Sequence, residues 1–213
     1  MKGNLRYCLY LTLAVLTMPV CLARADGEGD ATTGAPANDV DGLFHRGQWE
    51  PTVLSGPLFS PYGSPRARPT INYILGGAQL GYMLDDPRER KHFFRGNFEL
   101  VPEGFGAWIF GGEGHYISGG TLWLRYNIVP ENSRWIPYFQ AGGGFTLTDA
   151  NRFLVGENFN FNVDGSLGLR YLIASHWTVN LEYRYQHISN ADLSSRNVGI
   201  NSQGPVLGVS YFF

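Results

Sequence analysis

Between Trp177 and Ser189 the chain reads WTVNLEYRYQHIS, and its two parities differ sharply in character. The odd positions begin with Trp177, Val179, Leu181, Tyr183 and Tyr185; the even ones are Thr178, Asn180, Glu182, Arg184 and Gln186. Side chains alternate faces along a strand, so this segment predicts a strand with one apolar wall and one charged wall. The stretch before it repeats the pattern, with Phe159, Phe161, Val163, Leu167 and Leu169 against Asn160, Asn162, Asp164, Ser166 and Arg170. Further upstream, Leu122, Leu124 and Tyr126 oppose Thr121, Trp123, Arg125 and Asn127.

Roughly eight such segments of about ten residues recur between turn signals, as in antiparallel sheets. They are Gln48 to Gly56, Thr70 to Leu84, Lys91 to Val101, Tyr116 to Val129, Trp135 to Thr148, Asn158 to Leu172, His176 to Ser189 and Ile200 to Phe213. The first is nearly unreadable by period and the second is untidy. A soluble sandwich would also alternate, burying the apolar face and wetting the other. Three features favour an all-β, eight-stranded antiparallel up-and-down transmembrane barrel. The polar face carries Glu99, Asp164 and Glu182 with Arg95, Arg125, Arg170 and Arg184, a set that suits a paired network in a narrow lumen. Short connections near Asp85 to Arg90, Pro130 to Arg134 and Ile173 to Ser175 alternate with long ones near Pro57 to Pro69, Pro102 to His115, Asp149 to Glu157 and Asn190 to Gly199. Outer-membrane barrels have short periplasmic turns and longer external loops. The chain also ends PVLGVSYFF, with Leu207, Val209, Tyr211 and Phe213 on one face, which resembles the terminal signal of bacterial outer-membrane proteins.

The N-terminus fits export. Lys2 and Arg6 precede an apolar run from Tyr7 to Leu22, and Ala23, Arg24 and Ala25 supply small residues at the cleavage positions, so residues 1–25 read as a signal peptide. Pro19 interrupts the run, which falls short of a spanning helix. Both cysteines, Cys8 and Cys21, lie in it, so the mature chain rests on no disulfide. Its removal takes away Lys2, Arg6 and Arg24 and no acid, moving the formal charge from −2 to −5. No basic stripe points to nucleic acid. Residues 26–46, acidic and without period, read as a flexible leader, leaving 47–213 for the barrel. The mean hydropathy of only −0.15 is compatible with strands that cross a membrane, whose hydropathy signal is weak.

With both ends on the periplasmic side, the seventh strand runs outward and delivers HISNADLSSRN to its external end. Parity puts His187 and Ser189 on the lipid-facing side with Tyr183 and Tyr185, and counting back along the eighth strand puts Asn201 and Gln203 outward beside them. Polar groups facing hydrocarbon are costly, so the cluster needs interfacial water or a chemical purpose. One purpose is acyl transfer, in which an imidazole takes the proton of a serine hydroxyl and a third group holds the imidazole in the right tautomer. A rim histidine bonded to a loop serine is the plainer alternative.

The segment HISNADLSSRNVGINSQGPVLGVSYFF resembles the C-terminal part of the PagL family of lipid A 3-O-deacylases, eight-stranded outer-membrane barrels with a His-x-Ser-Asn motif. The likeness is specific over the last thirty or so residues; elsewhere it rests on architecture and length. It implies Ser189 as nucleophile, His187 as general base and then acid, and Asn190 with nearby backbone N–H groups as candidate oxyanion donors. It further implies a serine esterase of the bacterial outer membrane that takes lipid A of lipopolysaccharide as substrate and uses no metal or cofactor; a homodimer stays open. At the position fourteen residues after the histidine, where the family pattern has a glutamate, this chain has Asn201. An amide oxygen accepts the imidazole N–H but brings no charge, and in a serine protease the acid-to-amide change costs roughly 10⁴ in kcat. Asp192 and Glu157 are other carboxylates a loop can bring near.

Arg66, Arg68, Arg152 and Arg196 all fall on the external side, where guanidinium forks suit phosphate; solvated loop charge explains them equally well. His45, His92, His115 and His176 sit at segment ends, and Glu113 with His115 reads as an exposed loop pair more readily than as a metal site. Gly111, Gly112 and Gly114 are not placed between strand and helix as a phosphate loop requires. The alternative function is a non-catalytic barrel of the OmpA or OmpX type serving adhesion or envelope integrity; a soluble exported sandwich is a third reading.

Overall fold

A computed structural model describes residues 40–60, 70–87, 95–150 and 152–213. Eight strands form a closed barrel: β1 (Trp49–Leu58), β2 (Asn72–Met83), β3 (Gly96–Gly111), β4 (Tyr116–Ile128), β5 (Trp135–Thr148), β6 (Phe159–Ala174), β7 (Trp177–Ser189) and β8 (Ile200–Tyr211). Each strand pairs antiparallel with its chain neighbours, and β8 closes onto β1 from Thr52–Ser210 to Ser55–Leu207. This is the up-and-down barrel that the alternation predicts. The outer wall is apolar, with Leu167 71%, Val163 63% and Leu207 59% exposed. Around the end that carries the C-terminus, Trp49 packs on Tyr82, Trp135 on Tyr171, and Trp177 and Phe213 on Tyr211, an aromatic girdle of the kind found at membrane interfaces.

The interior is layered. Across the middle, Arg184 grips Glu103 through Nη1 and Nη2 (2.6 and 3.0 Å) and Glu182 through Nε (2.7 Å), while Arg170 meets Glu50 (2.7 Å) and Glu99 (3.2 Å). Arg125 donates to Glu99, Gln140 and Gln79. The predicted ion network thus exists, with Glu50 and Glu103 as further members. Arg95 stands at the margin instead, donating to the Val129 carbonyl at 3.0 Å. Towards the loop end the lumen turns apolar: Leu58, Tyr73, Leu75, Ile117, Ile188 and Ile200 pack with Leu154 and Val155 of a helical turn, α2 (Arg152–Val155).

Two boundaries differ from what the sequence predicts. The leader does not stay free up to Arg46: α1 (Val40–Leu43) and Phe44 enter the terminal end of the barrel and pack with Met83, Ile136, Leu172 and Phe212. Phe44 meets the Phe212 ring at 5.1 Å, and its carbonyl accepts from Asn97 at 2.6 Å. Apolar Val40, Leu43 and Phe44 have the i, i+3, i+4 spacing that one helical turn buries together. The predicted signal peptide and residues 26–39 of the leader lie outside the described residues. The long connection expected from Pro102 to His115 is also absent. β3 continues to Gly111, and only Gly112 to His115 remain as a turn. Pro102 stays in the strand because it pairs with Leu122 of β4, while the β2–β3 register skips Leu80 and Gly81 opposite it. The missing N–H therefore disturbs one ladder only. β3 is described from Gly96, and the predicted strand start at Lys91 lies outside the described residues.

Candidate active site

His187 and Ser189 stand at the loop end of β7, both on the outward face, with buried Ile188 between them pointing into the apolar layer. The strand alternation that buries Ile188 is what presents its two neighbours to the lipid side. Asn201 lies directly opposite His187 in the β7–β8 register, and His187 Nδ1 meets Asn201 Oδ1 at 2.6 Å. An amide oxygen only accepts, so Nδ1 is the donor, and in the neutral tautomer Nε2 is the acceptor. Tyr185, two residues before the histidine on the same face, donates its hydroxyl to the same Oδ1 at 2.8 Å. Among the described residues the Ser189 hydroxyl makes no hydrogen bond.

The imidazole is backed by backbone. Gly199 has φ +78°, and a Cβ there would lie 2.9 Å from His187 Cε1. The position thus needs glycine both for its conformation and for the close approach. Gly199 N–H donates to the Leu154 carbonyl at 2.8 Å, so α2 holds the end of the β7–β8 loop just before β8.

The start of that loop is held by Asn190. This residue is fully buried, and its side-chain N–H₂ faces three acceptors: the carbonyl of Val155 (2.8 Å), Ser194 Oγ (2.9 Å) and the carbonyl of Arg196 (2.9 Å). Its two amide hydrogens are therefore committed to the loop, and the side chain expected to serve an oxyanion instead shapes the segment next to Ser189. Asn190 to Leu193 form a type I′ turn closed by Leu193 N–H to Asn190 O (3.1 Å), with Ala191 at φ 52° and Asp192 at φ 63°. Left-handed backbone at two consecutive residues that are not glycine is strained. The N–H groups of Ala191 and Asp192 meet no acceptor among the described residues.

Neither alternative carboxylate touches the imidazole. Asp192 Oδ1 accepts from Asn197 at 2.8 Å, and Glu157 is exposed beyond α2. Arg196 is exposed on the β7–β8 loop and Arg152 opens α2, both at this end of the barrel, whereas Arg66 and Arg68 lie outside the described residues. His115 pairs with Asp149 (Nδ1–Oδ2 2.8 Å), not with Glu113 as the sequence suggested. Asp149 also caps the β3–β4 turn by accepting from His115 N–H and Tyr116 N–H. Partial burial pushes its carboxyl up, but these hydrogen bonds outweigh that and hold it below the usual carboxylate range. Among the described residues no group of three or more metal-binding side chains converges.

A family model described as lipid A 3-O-deacylase (PagL) matches residues 73–210, a span that includes the pair on β7 and its partner on β8. The chain belongs to this family. PagL proteins are lipid A deacylases of the bacterial outer membrane, and the barrel described above is accordingly an outer-membrane barrel. Among solved structures, the outer membrane enzyme PagL aligns with a TM-score of 0.54 at 17% identity, covering 75% of this chain and 98% of its own. Neisserial surface protein A (NspA) aligns with the same TM-score at 12% identity, covering 78% of this chain and 97% of its own. At such identities the likeness is one of fold. A search of curated proteins finds no match to the sequence.

Tyr185 and Gly199 are the site residues that the sequence reading did not assign. Tyr185 shares the parity of His187 and lies two residues away, which was the available signal. Nothing in the linear order ties Gly199 to the imidazole.

Proposed function

We propose that this PagL-family chain is a serine esterase that removes the 3-O-linked acyl chain of lipid A, with Ser189 as nucleophile, His187 as base and Asn201 as the group that orients it. The observation that carries this reading is the 2.6 Å contact between His187 Nδ1 and Asn201 Oδ1 on the lipid-facing wall, with Ser189 next along the same face. Two residues apart on a strand, their Cα atoms are separated by about 6.6 Å, a span that an imidazole and a hydroxyl bridge. The proton of Ser189 Oγ passes to His187 Nε2 as Oγ bonds the ester carbonyl carbon. The intermediate collapses, the bond from that carbon to the sugar 3-oxygen breaks, and the imidazolium returns the proton to the departing oxygen. Water repeats the sequence on the acyl-enzyme.

The developing oxyanion falls to backbone N–H groups beside the nucleophile, and those of Ala191 and Asp192 are unengaged and close in sequence. Farther from the loop end along the same wall, Leu167, Leu169, Leu181, Tyr183 and Pro205 line a shallow apolar depression. An acyl chain lying along β6 to β8 enters it from the leaflet, so the substrate arrives sideways and never crosses the lumen. Arg196 on the β7–β8 loop and Arg152 at the start of α2 stand at this end of the barrel, where guanidinium groups suit the phosphates of the headgroup.

The test is mass analysis of lipid A after incubation of lipopolysaccharide with the purified barrel. Loss of one 3-hydroxyacyl chain is expected, abolished by Ser189→Ala and by His187→Ala. An unchanged mass with the wild-type protein would leave the non-catalytic barrel, a reading favoured by the uncharged Asn201.

A further inference from the structure

An asparagine in the place of a carboxylate creates a problem that a carboxylate does not have. Both ends of a carboxylate accept, so either oxygen keeps the proton on Nδ1. Rotating the Asn201 amide by half a turn would bring Nδ2–H to face Nδ1, place the imidazole proton on Nε2, and leave nothing to take the serine proton. The base works in one amide orientation only.

We propose that Tyr185 is a positioning residue that locks the Asn201 amide with its carbonyl towards His187. The phenol O–H donates to Asn201 Oδ1 at 2.8 Å, the same atom that the imidazole meets at 2.6 Å. The phenol has no other hydrogen-bond partner among the described residues. In the flipped amide the phenol oxygen would accept from N–H₂ instead, and its own proton would lose its acceptor, with no other among the described residues. The phenol and the imidazole therefore vote for the same orientation. The register makes the arrangement possible: Tyr185 and His187 flank the outward face of β7, and Asn201 opposite His187 reaches both. Tyr185 contacts no reacting atom in this scheme and acts through Asn201.

The inference rests on His187 serving as base, but its decisive measurement does not depend on turnover. In the folded barrel in micelles, labelled with ¹⁵N-histidine and with His187 assigned by difference from His187→Ala, the ring nitrogens of the wild type report a proton on Nδ1. Tyr185→Phe is expected to give a mixed population with Nε2 protonated. The kinetic arm is a cycle with Asn201→Glu. In the wild-type background Tyr185→Phe lowers kcat by about tenfold, the scale of one lost hydrogen bond, with KM changed less than twofold. In the Asn201→Glu background, itself faster than wild type, the same change costs less than twofold. An unaltered tautomer in Tyr185→Phe, or an equal loss in both backgrounds, overturns the inference. If no barrel deacylates lipid A, the proposed function falls while the nitrogen spectra still decide the role of Tyr185.

Discussion

At the scale of single residues, the site depends on how closely backbone approaches the imidazole. Gly199 is where that approach is tightest, and a side chain there meets two penalties at once. An alanine at φ +78° costs about 1–2 kcal/mol, and its Cβ, 2.9 Å from His187 Cε1, pushes the ring along the wall. Gly199→Ala is expected to leave the barrel folded, as judged by heat-modifiable migration, while lowering the deacylation rate by about 10- to 100-fold, since small misplacements of a base are costly. The positions of His187 and Ser189 were legible because strand parity is strict: a residue either faces out or does not. Asn190 was not legible in the same way. Its motif position suggested a ligand contact, and only the fold shows that α2 and the loop already occupy its amide hydrogens.

Elements succeed or fail on local signals that their neighbours overrule. Pro102, Gly104 and Gly106 looked like a loop, yet β3 passes through them because β4 supplies an unbroken ladder on one side. That continuation carries Glu103 into the lumen, where Arg184 needs it. The turn that remains, Gly112 to His115, is held by Asp149 through His115 N–H at 2.7 Å and Tyr116 N–H at 2.9 Å. Because folding lowers the affinity of Asp149 for a proton, its contribution is complete above the ordinary carboxylate range and is lost as pH falls through its depressed folded value. The protection of the His115 and Tyr116 amides, their exchange measured against the intrinsic rate at each pH, should therefore fall on acidification. In Asp149→Asn that protection should already be lower at neutral pH and should change little with acid; a fall in protection equal to the wild type would assign the effect elsewhere.

For the whole molecule, the ionic middle layer is both the cost and the specificity of the fold. Removing one partner of a fully buried pair costs about 3–5 kcal/mol, because the other charge is left alone. Glu103 holds Arg184, accepts from Gln79 Nε2 (2.6 Å) and accepts from Trp123 Nε1 (2.9 Å). Glu103→Ala is expected to destabilise the barrel by that amount, read as a lower urea midpoint in lipid or detergent. A change of under ~1 kcal/mol, the range of an exposed pair, would mean that water reaches Arg184. The same lumen supports an outward site for the proposed chemistry. Ion pairs, the apolar layer under α2 and the inserted Phe44 fill the barrel, so a lipid ester has access only from the wall.

By itself the sequence determined the barrel, the lipid-facing parity of His187 and Ser189 and the family motif, because period-two alternation and short motifs are properties of neighbours along the chain. The family pattern also put Asn201 at the orienting position, but the sequence could not determine that Tyr185 bonds Asn201, that Gly199 backs the ring, or that residues 40–44 pack into the terminal end of the barrel. Those depend on register between strands and on which loop carbonyls lie within hydrogen-bond reach, distances that exist only once β7, β8 and α2 are packed together.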